Sequence, residues 1–210
     1  MQNSTFISDV RTTLFQVIDD HIIRKYEFVN NPERDFTRNR KLTFGNVLKA
    51  TLLLGSGSVE KELLEYFEYD TDTVTGSAFT QQRDKLSSSV FKSLFKQFTH
   101  HFDHYKTFMG YRIVAVDGSD LHIPHNPMDY ETYFQTTPDS KGYNLVHVNA
   151  LYDIVNRVYL DGQIQSARKQ HERKALIEMA QASRLDDVLL IADRGYESYN
   201  VFAHMMTKGW

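Results

Sequence analysis

Apolar residues change their spacing near Tyr105, and no single kind of fold layer accommodates both patterns. Before that point they recur every three or four positions, as in helices that bury one stripe. After it they alternate or cluster in short runs, as in strands. The chain is therefore expected to be a helical part, residues 1–108, followed by a part built on a sheet, residues 109–210. In the helical part, "STFISDVRTTLFQVIDDHIIRKYEF" sets Phe6, Val10, Leu14, Val17 and Ile18 on one face, with Asn3 or Ser4 as its cap. "TFGNVLKATLLLGSGS" predicts a short helix starting near Thr43 and stopped by Gly55. "SVEKELLEYFEYD" offers Leu63, Leu64 and Phe67 as a buried edge, and "SSSVFKSLFKQFTHHFDHY" stacks Phe91, Leu94, Phe95, Phe98 and Phe102. Between these two, "TGSAFTQQRDKL" has few apolar positions and a polar face of Thr80, Gln81, Arg83 and Asp84. The sum is a bundle of about five helices.

In the second part "YRIVAVDGSDLHI" reads as a strand and its turn, and "YNLVHVNALYD" and "NRVYLDGQIQ" as β-rich runs joined at "DIVN". A helix follows over 171–184, burying Ala175, Leu176, Met179 and Ala180. An apolar strand at 188–192 and a helix over 198–208 complete the order. Three strands in a meander, a helix, a strand and a helix imply an α/β fold with a mixed sheet. The meander gives antiparallel pairs, and a right-handed crossover lays the last strand parallel to the first.

Two of these strands end on a carboxylate. The run 113–116 is followed by Asp117 and Gly118, and the run 188–192 by Asp193, Arg194 and Gly195. Asp-Gly also opens ordinary turns. If the two strands are adjacent and parallel, however, both carboxylates emerge at the carboxyl edge, where open α/β sheets bind ligands. Neighbouring carboxylates repel unless a cation lies between them. Oxygen-only ligation without cysteine points to Mg²⁺ or Mn²⁺. Such ions, in pairs about 4 Å apart, clamp the attacking and leaving oxygens of phosphodiester displacement.

The motifs "VAVDGSDL" and "IADRGYESYN", with "YNLVHVNALYD" and "HERKALIEM" between them, resemble the ribonuclease-H-like catalytic core of DDE transposases of the insertion sequence 4 group. The resemblance covers residues 77–210, and the opening helices are more loosely similar to that family's DNA-binding portion. It implies cut-and-paste DNA transposition: metal-dependent cleavage and strand transfer at insertion-sequence ends. Asp117 and Asp193 would be the catalytic metal ligands, with Mg²⁺ or Mn²⁺ as cofactor. The implied partners are double-stranded DNA, as transposon ends and target, and a second copy of the chain. The implied location is the bacterial cytoplasm, at the nucleoid. The family's third carboxylate is a Glu on a later helix, beyond a further strand, and "MMTKGW" stands where that strand would begin. The core is therefore expected to be incomplete at its C-terminus and the 210-residue chain inactive alone, an inactive DNA-binding remnant being the alternative. Glu197 lies too near Asp193 for the missing role and is expected to cap the following helix, while Asp120 could lend an oxygen.

Charge narrows where DNA can be held. Net charge is −3, with 14 basic and 14 acidic residues over 1–110 and 10 and 13 over 111–210, so binding must come from local patches. The one dense basic run holds Arg34, Arg38, Arg40 and Lys41, although a solvated loop has the same composition. The segment 77–86 reads either as the groove helix of a helix-turn-helix, with Gln81 and Arg83 reaching the DNA, or as part of a plain bundle. Lys141 in "PDSKGYN", Arg194 and Tyr196 are further candidates for phosphate contact, with a structural role the alternative for Arg194 and Tyr196. His100 and His104 are one helical turn apart, as in zinc sites, but no third ligand accompanies them. His122 and His125 lie near Asp117, most simply as loop residues. The absence of cysteine suits the cytosol, and no apolar run reaches the roughly 18 residues of a membrane span. The N-terminus lacks the apolar core of a signal peptide.

Overall fold

The computed structural model describes residues 2–38, 40–101 and 106–210, and side chains from Ile7 onward. The chain divides into two compact units, Met1–His101 and Phe102–Trp210.

The first unit holds helices α1 (Gln2–Ile23), α2 (Phe44–Leu53), α3 (Val59–Tyr66), α4 (Gly76–Arg83) and α5 (Ser89–His100). Helix α1 starts ahead of Asn3 and Ser4, so neither caps it as expected. The side chains of Phe6 and Phe102 lie outside the described residues. Each short helix is opened by a hydroxyl that satisfies an orphan backbone donor. Thr43 accepts from the Asn46 N–H at 3.2 Å, Ser58 from Lys61 at 3.4 Å and Thr75 from Ala78 at 3.2 Å. Leu54, one residue before the expected Gly55, closes α2. Val17, Ile18, Phe44, Val47, Leu48, Leu63, Phe79, Val90 and Leu94 form the core. Leu64, expected inside, is exposed because α3 turns only Leu63 fully inward. His21 is buried and joins α1 to α5, its Nδ1 2.7 Å from the Val17 carbonyl and its Nε2 3.0 Å from Ser93 Oγ. Helices α3 and α4 are joined by residues 67–75, nine in all, where a tight helix-turn-helix uses three or four. That tight geometry is not formed.

The second unit is built on β1 (Arg112–Ile123), β2 (Tyr133–Phe134), β3 (Tyr143–Asp153), β4 (Val158–Ser166) and β5 (Val188–Ile191), with α6 (Glu172–Ala182) and α7 (Tyr199–Lys208). Strand β3 pairs antiparallel with β1, β4 and the short β2, and β1 pairs parallel with β5. The sheet is mixed, as the order of elements predicts. Val114, Val116, Leu151 and Val188 pack against Ala175, Leu176, Met179 and Ala180 of α6 and Val201 and Met205 of α7. The crossover helix thus buries the four residues its spacing selects.

One expectation fails instructively. The strand through 113–116 does not stop and turn at Asp117 and Gly118 but runs on to Ile123. Strand β3 supplies a partner at every step, from Asp117 opposite Ala150 to Ile123 opposite Asn144. A continuous ladder pairs the β3-facing backbone groups of this stretch, so the local turn preference of Asp-Gly is overridden. At the other end of β1, Arg112 Nε lies 2.5 Å from Asp153 Oδ2, both side chains being buried. Asp153 Oδ1 accepts the Asn156 N–H at 2.8 Å, and the Asn156 amide donates to the Lys106 carbonyl at 2.9 Å. One carboxylate therefore joins strand, turn and incoming chain. Among the described residues no helix is long and apolar enough to cross a membrane.

Candidate functional site

The parallel ladder matches Arg112 with Val188 and Ala115 with Ile191. The pairing ends there, two residues before Asp117 on one strand and two before Asp193 on the other. Strand β5 leaves the sheet after Ile191 while β1 continues, so the two aspartates flank the point where the strands part. Asp117 is mid-strand, not at a strand end, but it stands where its parallel partner stops.

Both aspartates are exposed, and each commits Oδ1 to the backbone. Asp117 Oδ1 accepts the N–H of Gly118 at 2.8 Å, and Asp193 Oδ1 accepts that of Gly195 at 2.8 Å. The second bond winds a single 3₁₀ turn, Arg194–Tyr196, and Arg173 Nε of α6 fastens it by donating to the Gly195 carbonyl at 2.8 Å. The pair fits a hard divalent cation in donor type and charge. Mg²⁺ is commonly held by one or two carboxylates together with waters and substrate phosphates. Among the described residues no three His, Asp or Glu side chains are placed to hold an ion.

Tyr196, a sequence candidate for phosphate contact, is instead buried in the core, only 3% exposed. Its hydroxyl has no hydrogen-bond partner among the described residues. Burial, then the charges of Glu172, Asp117 and Asp193, push its pKa well above the ordinary tyrosine value. Asp120 does not turn toward Asp117: its Oδ1 lies 2.7 Å from Nδ1 of the buried His147. Glu197 does not cap α7, since Ser198 takes that position and accepts the Val201 N–H at 3.2 Å. Glu172 and His147 were not foreseen. In the sequence the first reads as a first-turn acid of a helix and the second as one polar member of an alternating strand.

The other candidates are scattered. Arg194 is exposed on its turn. Lys141 is exposed too, while its carbonyl accepts from His125 Nε2 at 3.1 Å and from the Tyr133 hydroxyl at 3.3 Å. His122 lies in β1 rather than a loop, its ring 5.5 Å from that of Tyr143. His100 is exposed at the end of α5, and His104 lies outside the described residues. In the helical unit Arg34 and Arg38 line a polar concavity with Asn31 and Lys85. Arg40 and Gln81 are exposed, and Arg83 lies over the Phe79 ring at 5.9 Å. Lys41 is engaged elsewhere: its Nζ is 2.6 Å from Asp70 Oδ2 and 2.9 Å from the Asp72 carbonyl, which pins the segment between α3 and α4.

Residues 108–210 match the family model of the transposase DDE domain. Nothing among curated proteins matches the chain. The family match implies transposase function, a polynucleotidyl transfer with DNA as substrate.

Proposed function

We propose that this polypeptide is a cut-and-paste DNA transposase of the insertion sequence 4 group, with Asp117 and Asp193 as its metal-binding catalytic carboxylates. The observation that supports the reading is that the parallel β1–β5 pairing ends two residues before each of them, at Ala115 and Ile191. Residues 109–210 would be a ribonuclease-H-like catalytic core. The antiparallel β1–β3–β4 meander with β5 laid parallel to β1 supports this. Residues 1–108 would hold DNA through Arg34, Arg38, Arg40, Gln81 and Arg83, in a homodimeric complex at the bacterial nucleoid.

A divalent cation bound at the aspartates would supply Lewis-acid activation of water at the transposon end and then of the freed 3′-hydroxyl. The chain's own residues do the positioning. The Gly118 and Gly195 N–H groups fix one oxygen of each carboxylate and leave the other directed by that anchor. Arg173 braces the turn that carries Asp193. Arg194 and Lys141 offer exposed cations to DNA phosphates.

A second reading, an inactive DNA-binding remnant, is favoured by one observation: no three acidic or histidine side chains among the described residues converge on an ion site. One experiment separates the two. Duplex carrying the terminal repeats that flank the coding region is incubated with Mn²⁺ and either wild-type protein or Asp193→Asn. Nicking lost in the variant supports the transposase. Salt-dependent duplex binding without nicking supports the remnant. Equal nicking by both proteins would remove Asp193 from the chemistry.

A further inference from the structure

Two glycines anchor the two aspartates, and both are reached from one turn of α6. The Gly118 N–H holds Asp117 Oδ1 and the Gly195 N–H holds Asp193 Oδ1, each at 2.8 Å. Glu172 and Arg173, consecutive residues in the first turn of α6, meet these glycines one each. Glu172 Oε1 lies directly against Gly118, where a Cβ would collide with it. Arg173 Nε donates to the Gly195 carbonyl at 2.8 Å. The Glu172 carboxylate is itself held, its Oε1 3.2 Å from Nε2 of the buried His147, whose Nδ1 is 2.7 Å from Asp120 Oδ1 of β1. The start of the helix is tied to β4 as well, since the His171 N–H donates to Gln165 Oε1 at 2.9 Å.

Ordinary helix stability accounts for part of this. Glu172 suits the first turn of a helix, whose dipole favours an anion there, and it gains an ion pair with His147. Arg173 is a cation in the same turn and opposes the dipole. Its neighbour Lys174 is compensated by Glu178 one turn on, at 3.7 Å, whereas Arg173 reaches across to the 3₁₀ turn that Asp193 opens. Successive residues of a strand point to opposite faces, so α6 meets β1 from the Gly118 side, behind the Asp117 side chain.

We propose that Arg173 is the positioning residue that fixes Asp193 relative to Asp117, with α6 as the bar between them. At one end Arg173 holds the turn that carries Asp193. At the other, Glu172 rests on Gly118 and is fastened through His147 to Asp120, so the helix is locked to β1 beside Asp117. The inference rests on the metal-binding reading of the two aspartates, and in it Arg173 touches neither the cation nor DNA. A small divalent ion such as Mg²⁺ demands near-ideal spacing of its oxygens. The β1–β5 ladder does not set that spacing directly, because its pairing ends two residues short of both aspartates. The brace from α6 supplies what the ladder leaves open. Groups that orient a metal ligand in this way are commonly needed nearly as much as the ligand.

The test is calorimetric titration of the full 210-residue chain with Mn²⁺, without DNA. Arg173→Met removes the donor to Gly195, Lys174→Met removes a cation from the same turn as control, and Asp117→Asn and Asp193→Asn report the site itself. Arg173 is exposed, so its variants should keep the wild-type circular dichroism and thermal midpoint. By charge alone, losing a cation near the site would strengthen Mn²⁺ binding. Arg173→Met should instead weaken it by about ten-fold, the loss expected when a group that orients a ligand is removed. Lys174→Met should leave binding unchanged or slightly tighter, and Arg173→Lys, which keeps the charge and one donor, should retain most of the affinity. If Arg173→Met binds as tightly as Lys174→Met while both aspartate variants bind weakly, the inference is overturned and the two-aspartate site stands. If Arg173→Lys loses as much as Arg173→Met, the carbonyl contact is not what matters and the inference is again overturned. If neither aspartate variant weakens binding, the site itself falls and the inference with it.

Discussion

Gly118 and His147 approach so closely across the β1–β3 ladder that a methyl group on the glycine would stand 2.5 Å from the imidazole Nε2. The glutamate end of that contact can move aside, whereas the imidazole is buried and tied to Asp120. Gly118→Ala should therefore lower stability by about 1–3 kcal/mol, the usual cost of overpacking. Urea denaturation of the variant measures it. Adding Glu172→Ala should recover only part of the loss, because the imidazole remains. An unshifted midpoint for the single variant would show that the strand yields there and that the space has no structural purpose.

The buried pair of Arg112 and Asp153 makes a stability prediction of opposite design. Asp153→Ala leaves a buried guanidinium without its carboxylate and removes the acceptor of the Asn156 N–H, so a loss of about 3–5 kcal/mol is expected. Replacing both members by leucine should cost much less than the sum of the single changes. A double-mutant cycle by chemical denaturation checks this, and strict additivity would mean the two side chains do not interact.

Tyr196 predicts a pH dependence whose sign follows from its raised pKa. Below the ordinary value of 10.0 the phenol is neutral in both folded and unfolded states. As pH rises above it, the unfolded chain ionises first, so stability falls with pH. Tyr196→Phe removes one source of that decline and one unsatisfied hydroxyl. At neutral pH the variant should be unchanged or more stable by about 1 kcal/mol. Above pH 10.0 its advantage over wild type should widen. A constant difference across that range would show that the hydroxyl is not buried from solvent in solution.

The basic segment divides into parts that the structure treats differently. If Arg34, Arg38 and Arg40 each meet one phosphate, changing all three to alanine should flatten the slope of log affinity against log salt by about three units. Lys41 should behave otherwise, since its ammonium is engaged with Asp70 and holds that carboxyl below its usual pKa. Lys41→Ala should leave the slope as it was. Fluorescence anisotropy on a labelled duplex at several salt concentrations reads both, and equal effects at all four positions would contradict the assignment of Lys41 to the fold.

What could be read in advance was local. Helix α6 follows from a spacing that puts Ala175, Leu176, Met179 and Ala180 on one side, and the structure buries those four. The parallel placement of β5 follows from chain order and crossover handedness alone. The continuation of β1 past Asp117 was not legible, because Asp-Gly favours a turn by itself and only the distant partner β3 reverses that preference. The sequence leaves Tyr196 open between a phosphate contact and a structural role, and its burial depends on how the 3₁₀ turn packs with α6 and α7. Glu172 and His147 acquire their meaning only when a helix N-terminus and a strand are brought to one glycine. No spacing in the sequence encodes that meeting.

The unequal lengths of β1 and β5 have a mechanical consequence. Asp117 is anchored in a twelve-residue strand held by β3 along its length, whereas Asp193 follows a four-residue strand that, among the described residues, pairs with β1. One carboxylate is thus set within a long ladder, and the other stands on a short turn held by Arg173. In the proposed reaction, Asp193 would be the side that adjusts as the spacing around phosphorus changes, and Asp117 the side that keeps the alignment. Amide hydrogen exchange would register the difference directly, with slow exchange through residues 114–119 and fast exchange through 192–195.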